Sequence, residues 1–213
     1  MRDLLIDLDN TVYPEDSNIF KQIDSKMKSF ISKNLKVSLK QAYIIQKKYF
    51  IENGTTLRGL MLYHNIQPEF FLNYVHDINL SKIKKNSQLN TQLENYTGKK
   101  IIFTNGSYDH ANKVLKKIGL NQNIDHIFDI IEASYIPKPE ITTYQKVIKK
   151  YSLQPATTIM IDDLPDNLKT AKNLGIKTVL IKSHFFNSKT YDYIDIICPD
   201  LSDAIEKINK GSI

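Results

Sequence analysis

The sequence predicts an α/β protein in which a parallel sheet carries helices on its faces. Short apolar runs recur along the chain, and helical patterns separate the later runs. A long segment after the first run contains helical patterns only. Strands that alternate with helices indicate βαβ units, which have right-handed crossovers.

Four apolar runs are the predicted strands, and each fits a strand buried on both faces. They are DLLIDL (3–8), KKIIFTN (99–105), TTIMIDD (157–163) and KTVLI (177–181). All but the last end directly in a cluster of polar residues.

Apolar residues at helical spacing predict the helices that follow the second, third and fourth runs. These helices are expected within 108–119, 139–152, 166–175 and 201–210. Gly119 and Gly175 stand where two of them should end, because glycine readily adopts the left-handed conformation that closes a helix.

Residues 15–95 show no convincing strand pattern. A helical stripe begins at Ile19, and Ser38 with Gln41 forms a capping box for the next helix. Further helices are expected at 56–64, 68–77 and 88–95. The predicted fold is therefore a Rossmann-like parallel-sheet core, 1–14 and 96–213, with an all-helical cap, 15–95, inserted after the first strand.

Composition excludes several classes of protein. With 213 residues and 41% hydrophobic content, the chain can build a sizeable core. The single cysteine, Cys198, allows no intrachain disulfide and indicates a reducing, cytoplasmic setting. The net charge is +6, but the lysines are scattered and arginine occurs only at positions 2 and 58, so no nucleic-acid polymer is expected as a partner. Carboxylates interrupt the first apolar run within three residues, which argues against a signal peptide or a membrane span.

Polar side chains follow the predicted strands where each of them ends. Because ligands of open parallel sheets bind at the carboxyl ends of the strands, these side chains are expected to share one crevice. Carboxylates crowded in this way repel one another unless a cation joins them, and oxygen ligands suit Mg²⁺. The residues concerned are Asp7, Asp9, Thr104, Asn105, Asp162 and Asp163, with Lys138 in a loop before a helix.

Each feature alone has an ordinary structural explanation. The pair Asp7 and Asp9 could cap a turn, and the pair Asp162 and Asp163 could cap the following helix. Lys138, between two prolines, could be an exposed loop residue. The conjunction favours function, because every candidate lies at a strand end or beside a helix start.

The motifs resemble the four signatures of the haloacid dehalogenase superfamily of phosphohydrolases. Several stretches further resemble the pyrimidine 5′-nucleotidase branch, which has a helical cap after the first strand. One departure is Leu164-Pro165, where the family commonly has a small residue. The four motifs are DLDNT (7–11), FTNGS (103–107), PKP (137–139) and IDDLPDN (161–167).

The resemblance implies a role for each site residue. Asp7 would be both the nucleophile and a metal ligand, and Asp9 would transfer protons while binding the metal through its backbone carbonyl. Lys138 would neutralise both the nucleophile and the phosphoryl group. The remaining metal ligands would be Asp162 and Asp163, with Asp162 direct or through water, and the remaining phosphate contacts Thr104, Asn105 and Gly106.

Arg58 and His64 are the candidates for contact with the leaving group, on a helix of the cap. Alternatively, Arg58 pairs with a cap carboxylate and His64 lies at the surface. His110, His126 and Cys198 are expected to have no catalytic role.

The predicted function is a Mg²⁺-dependent phosphatase for a small phosphorylated metabolite, such as a pyrimidine nucleoside 5′-monophosphate. A phosphomutase, or a phosphatase for sugar phosphates or phosphoglycolate, has the same fold and site. A haloacid dehalogenase needs no metal, so the extra carboxylates argue against it. An aspartate-phosphorylated, receiver-like switch is the alternative from another class, and the long helical insertion argues against it. The sequence leaves open whether the protein is a monomer or a homodimer.

Overall fold

The computed structural model describes residues 2–182 and 191–211. Its described strands form one six-stranded sheet in which every pairing is parallel, in the order β3-β2-β1-β4-β5-β6. The α/β fold class predicted from the sequence is therefore confirmed. The strands are β1 (Asp3–Ile6), β2 (Lys100–Phe103), β3 (His126–Phe128), β4 (Thr158–Asp162), β5 (Lys177–Ile181) and β6 (Ile196–Cys198).

The helices fall close to the positions that the sequence predicts, and two short 3₁₀ turns occur at Glu15–Ser17 and Pro155–Thr157. Within the described residues, no helix is both long and apolar enough to cross a bilayer. The helices are α1 (Ile19–Leu35), α2 (Leu39–Asn53), α3 (Thr56–His64), α4 (Pro68–Val75), α5 (Ser87–Glu94), α6 (Tyr108–Ile118), α7 (Ile141–Tyr151), α8 (Pro165–Asn173) and α9 (Leu201–Asn209).

The central strand β1 explains why the sheet is buried on both faces. Leu4 and Ile6 point into one apolar cluster, together with residues of α5, α6 and α9. Leu5 points into the other, together with residues of α7, α8 and the helices between β1 and β2. Successive strand residues alternate between the two faces, so an unbroken apolar run fits a strand that is covered on both sides.

The chain leaves β1 for β2 on one side of the sheet and later returns to β4 on the other. The reversal makes the carboxyl end of β1 a topological switch point, where open α/β sheets form a crevice. Asp7 continues β1 directly, and its backbone N–H donates to the carbonyl of Ile161 in β4. The ends of β1 and β4 are thereby held side by side.

The helical segment between β1 and β2 follows local rules. The capping box of Ser38 and Gln41 is present at the start of α2, as predicted, and Gly54 ends that helix. The helix α5 packs against α9, and its Leu89 and Leu93 join the apolar cluster of the sheet. We propose on this basis that the inserted cap consists of α1 to α4, inside the predicted range 15–95.

Candidate active site

Lys138 lies at the centre of the acidic residues that the strands deliver. Its ammonium donates to Asp7 Oδ1 and to Asp162 Oδ2, each at 2.8 Å, and its side chain is 1% exposed. The loop that carries it is fixed by Asn105, whose side chain donates to the Lys138 carbonyl and accepts from the Lys138 N–H. A charged side chain buried this deeply requires such partners, because an unpaired ammonium would be strongly destabilising.

Three carboxylates meet beside this ammonium. Asp7, Asp162 and Asp163 are all buried, and each offers a ligand atom within 4.8 Å of the others. Asp162 also accepts from the Leu164 N–H and from the Asn167 amide, at 2.9 and 3.0 Å. The sequence-based expectation that β1 and β4 bring these side chains together agrees with the structure.

The raised pKa values of two carboxyl groups indicate that the site has too little positive charge to balance its carboxylates. Burial raises the pKa of Asp7 to about 7, although Lys138 opposes the change. Burial, followed by the charges of Asp7 and Asp162, raises the pKa of Asp163 to about 9. Burial alone would lower the pKa of Lys138, but Asp162 and Asp7 raise it above its usual value. The three carboxylates carry more negative charge than one ammonium can balance, and their ligand atoms are oxygens. Such a site fits a hard divalent cation such as Mg²⁺.

The neighbouring strand contributes the residues expected to bind phosphate. Thr104 follows β2 and is buried, and its hydroxyl accepts from the Gly106 N–H at 2.9 Å. Ser107 then caps α6 by accepting from the His110 N–H. The turn that contains Thr104, Asn105 and Gly106 thus precedes a helix N-terminus, where backbone N–H groups favour an anion.

Asp9 is held apart from this cluster. Its Oδ1 atom accepts from the Tyr13 hydroxyl and lies 2.9 Å from His110 Nε2. Burial alone would raise the pKa of Asp9, but His110 and Tyr13 lower it below its usual value. The sequence does not single out His110 for the site, and the structure places its ring against Asp9. Its position on the buried side of a helix resembles that of a core residue.

The two cap candidates differ in position. Arg58 donates from Nη1 to the carbonyl of Tyr135, in the loop that leads to Lys138. A Cβ on Gly54 would lie 3.2 Å from the Lys138 carbonyl, so the turn between α2 and α3 lies against the loop that carries Lys138. His64 is exposed, and its Nε2 lies 2.7 Å from the hydroxyl of Tyr49 within the cap. Contact of either residue with a substrate stays a prediction.

The sheet order and the buried carboxylates around one lysine define a Rossmann-like α/β protein with an acidic site at its switch point. A family model for haloacid dehalogenase-like hydrolases matches residues 2–175, and the chain belongs to this family.

Two curated relatives match most of the chain. "Phosphate metabolism protein 8" of Saccharomyces cerevisiae is 24% identical over 91% of the chain, which spans 64% of the length of that relative. "Glyceraldehyde 3-phosphate phosphatase" of Methanocaldococcus jannaschii is 22% identical and covers 99% of the chain and 98% of its own length.

Solved structures share the fold at low sequence identity. The HAD phosphatase of Thermococcus onnurineus superposes with a TM-score of 0.63 and 18% identity, and it covers 100% of this chain and 98% of its own. The L-2-haloacid dehalogenase of Xanthobacter autotrophicus reaches 0.62 at 13% identity, with 99% of both chains covered. One architecture therefore includes both a phosphatase and a dehalogenase, and the choice between them depends on the residues of the site.

Proposed function

We propose that this protein is a Mg²⁺-dependent phosphatase that hydrolyses a small phosphomonoester through an aspartyl-phosphate intermediate. The observation that carries the proposal is the position of Asp7. Its carboxylate lies 2.8 Å from the Lys138 ammonium and within 4.8 Å of ligand atoms of Asp162 and Asp163. A nucleophile that must approach a phosphate needs neutralising charge at this position, whereas displacement of a halide from carbon does not require the extra carboxylates.

In the first step, a carboxylate oxygen of Asp7 attacks phosphorus, and the bond from phosphorus to the ester oxygen breaks. Against the effect of burial, His110 and Tyr13 lower the pKa of Asp9, but the negative charge of a bound phosphate ester favours its protonated form. In the complex Asp9 gives this proton to the departing alkoxide. Lys138 neutralises charge on Asp7 and on the transferred group, and Thr104 and the following N–H groups bind the phosphoryl oxygens. The products of this step are the alcohol and a phosphorylated Asp7.

In the second step, Asp9 acts as a base and Asp7 is the leaving group. The ionised Asp9 takes a proton from a water molecule, and the water oxygen bonds to phosphorus as the bond to Asp7 breaks. Inorganic phosphate leaves, Asp7 is regenerated as a carboxylate, and Asp9 is protonated again for the next cycle.

Asp7, Asp162 and Asp163 would hold the cation, with the backbone carbonyl of Asp9 as a further ligand. When bound, Mg²⁺ supplies positive charge that offsets the phosphate and the crowded carboxylates. Asp162 already accepts hydrogen bonds from Lys138 and Asn167, and contact through a water molecule would preserve both of them.

Two substrate classes are proposed. A pyrimidine nucleoside 5′-monophosphate follows from the sequence motifs, with Arg58 and His64 of the cap as candidate contacts. A triose phosphate is the second, because the Methanocaldococcus jannaschii relative named for glyceraldehyde 3-phosphate matches nearly its full length. The cap would exclude water from the aspartyl-phosphate and select the leaving group. We propose that the reaction takes place in the cytoplasm, since the single cysteine allows no intrachain disulfide.

The test is a phosphate-release screen of the purified protein with Mg²⁺. The panel contains pyrimidine and purine 5′-monophosphates, glyceraldehyde 3-phosphate, hexose phosphates and phosphoglycolate, with Asp7→Asn as the matched control. We expect release from one class of ester, with none from Asp7→Asn and none in the presence of a chelator.

The other outcomes are distinct. Transfer of the phosphoryl group to a second position of a sugar phosphate, without net release, would indicate a phosphomutase. A stable phosphoprotein that releases phosphate slowly would indicate a receiver-like switch. Absence of both release and phosphorylation, in wild type and Asp7→Asn alike, would refute the proposed function.

A further inference from the structure

The carboxylate of Asp9 is held by one of its two oxygens. Both described hydrogen bonds to this side chain end on Oδ1, one from the Tyr13 hydroxyl and one from His110 Nε2. The other oxygen, Oδ2, lies on the side of the phosphate-binding turn, since a Cβ built on Gly106 would be 3.7 Å from it. The two oxygens of Asp9 therefore have different surroundings.

His110 is itself fixed in place by its position in α6. Its side chain is 1% exposed, while that of Asp9 is 18% exposed, so the contact joins a buried ring to a carboxylate at the edge of the crevice. The backbone N–H of His110 donates to Ser107 Oγ, which ties the residue to the first turn of the helix.

A second histidine packs flat on the first. The rings of His76 and His110 have centroids 4.3 Å apart and planes inclined by 10°. His76 ends α4, and its Nδ1 lies 2.9 Å from Ser107 Oγ. The ring of His110 thus has one face covered by a residue of the inserted segment, which restricts rotation about its side-chain bonds.

We propose that His110 is a positioning residue for proton transfer by Asp9 and that His76 holds the plane of its ring. Two donors on Oδ1 stop the carboxyl group from rotating, so that Oδ2 is the oxygen that gives the proton to the leaving group and later takes one from water. The inference rests on the proposed function, since it concerns the acid of that reaction. It adds a link from the cap through His76 and His110 to the proton donor.

A positioning role for the acid makes a specific kinetic prediction. The constant kcat/KM reports only the steps through departure of the leaving group. An alkoxide needs a proton to leave, whereas 4-nitrophenolate leaves well without one. A variant that misplaces Asp9 should therefore lose kcat/KM on an alkyl phosphate and retain most of it on 4-nitrophenyl phosphate.

The experiment compares wild type, His110→Phe and His110→Gln on these two substrates, with the alkyl ester taken from the phosphate-release screen. Phe fills a similar volume without a hydrogen-bond donor, and the amide of Gln can donate near the position of Nε2. We expect His110→Phe to lose about 10²–10³-fold in kcat/KM on the alkyl ester, within the usual range for acid–base assistance. The loss on 4-nitrophenyl phosphate should stay below roughly tenfold, and His110→Gln should recover at least part of the alkyl activity.

His126→Phe is the matched control, because His126 stacks on Tyr151 at the outer strand β3 and does not touch the site. Its kcat/KM on both substrates should equal that of wild type. Tyr13→Phe removes one oxygen only, so it reports on the same carboxylate even where a His110 variant folds poorly. It should lose less kcat/KM than His110→Phe, and the loss should again be larger on the alkyl ester than on 4-nitrophenyl phosphate.

Equal losses on both substrates, or full activity of His110→Phe on the alkyl ester, would overturn the positioning role. A wild-type protein that hydrolyses neither ester would instead refute the proposed function, and the role of His110 with it. The two failures are distinguishable because only the second affects the unmodified protein.

Discussion

The substitution Lys138→Met tests the electrostatic basis of the site most directly. Methionine keeps much of the length of the side chain and removes the ammonium that lies 2.8 Å from both Asp7 and Asp162. The chain would then hold three neighbouring buried carboxylates without the cation that joins two of them. Both stability and activity should fall, and for separable reasons.

The magnitude follows from the burial of the pair. Removing one partner of a buried ion pair typically costs about 3–5 kcal/mol of folding free energy, because the remaining charge is left uncompensated. Loss of a cation that neutralises a transferring phosphoryl group typically costs about 10³-fold or more in kcat. Mg²⁺ should recover part of the stability, since it supplies charge to the same carboxylates, but little of the activity.

The assay is urea denaturation with and without Mg²⁺, together with phosphate release on the substrate found in the screen. The double variant Lys138→Met with Asp162→Asn removes one of the two charges left unpaired, and the amide oxygen can still accept from the Leu164 N–H. It should recover at least half of the lost stability and none of the activity. The reasoning fails if Lys138→Met unfolds within about 1 kcal/mol of wild type and keeps more than a tenth of its rate.

Three further predictions concern the cation, the pH and the cap. Mg²⁺ should raise the melting temperature of wild type but not of Asp163→Asn. When both are measured without metal, Asp163→Asn should be at least as stable as wild type, because one repelling carboxylate is gone. Burial, followed by the nearby charge of His110, lowers the pKa of His76 to about 3, and Asp9 and Lys113 also act on it with opposite signs. The pKa of His76 is lower in the folded than in the unfolded state, so its contribution to the unfolding free energy is fully present above pH 6.5 and is lost as pH falls. In urea titrations, His76→Phe should therefore reduce the loss of unfolding free energy between pH 7 and pH 5 by about 1–2 kcal/mol. A Cβ on Gly59 would lie 2.3 Å from the ring of Tyr49, so Gly59→Ala should lower the unfolding free energy by about 1–3 kcal/mol in spite of the better helix propensity of alanine, as measured by urea denaturation.

The sequence was sufficient for the strands that carry the acidic residues. β1, β2 and β4 are unbroken apolar runs, and the polar residues begin where those runs end. β3 and β6 could not be predicted in the same way. Each is three residues long and lies at an edge of the sheet, and His126 in β3 is exposed. A short strand with one partner needs no continuous apolar run.

The contacts within the site could be predicted only in part. Parallel strands place their carboxyl ends at one edge, which brings Asp7 and Asp162 together without knowledge of the loops. The contact between His110 and Asp9 depends instead on how α6 is rotated relative to β1. His110 follows the same helical stripe as the core residues Ala111 and Val114, so no periodic pattern separates it from them. The sequence alone therefore does not predict the contact between His110 and Asp9.

The different roles proposed for the two aspartates follow from their partners. Asp7 and Asp9 are two positions apart, and Leu8 between them points into the apolar cluster. Asn10 then turns the chain with a φ of 61°, a left-handed conformation that asparagine tolerates better than most residues. The turn directs the chain away from the sheet, so that Asp9 meets a phenol and an imidazole where Asp7 meets an ammonium. The ammonium beside Asp7 supplies the positive charge that attack on a phosphate needs, whereas the two donors on Oδ1 of Asp9 leave its Oδ2 as the oxygen proposed to exchange a proton. The same residue type can thus serve as nucleophile and as acid within three residues of chain.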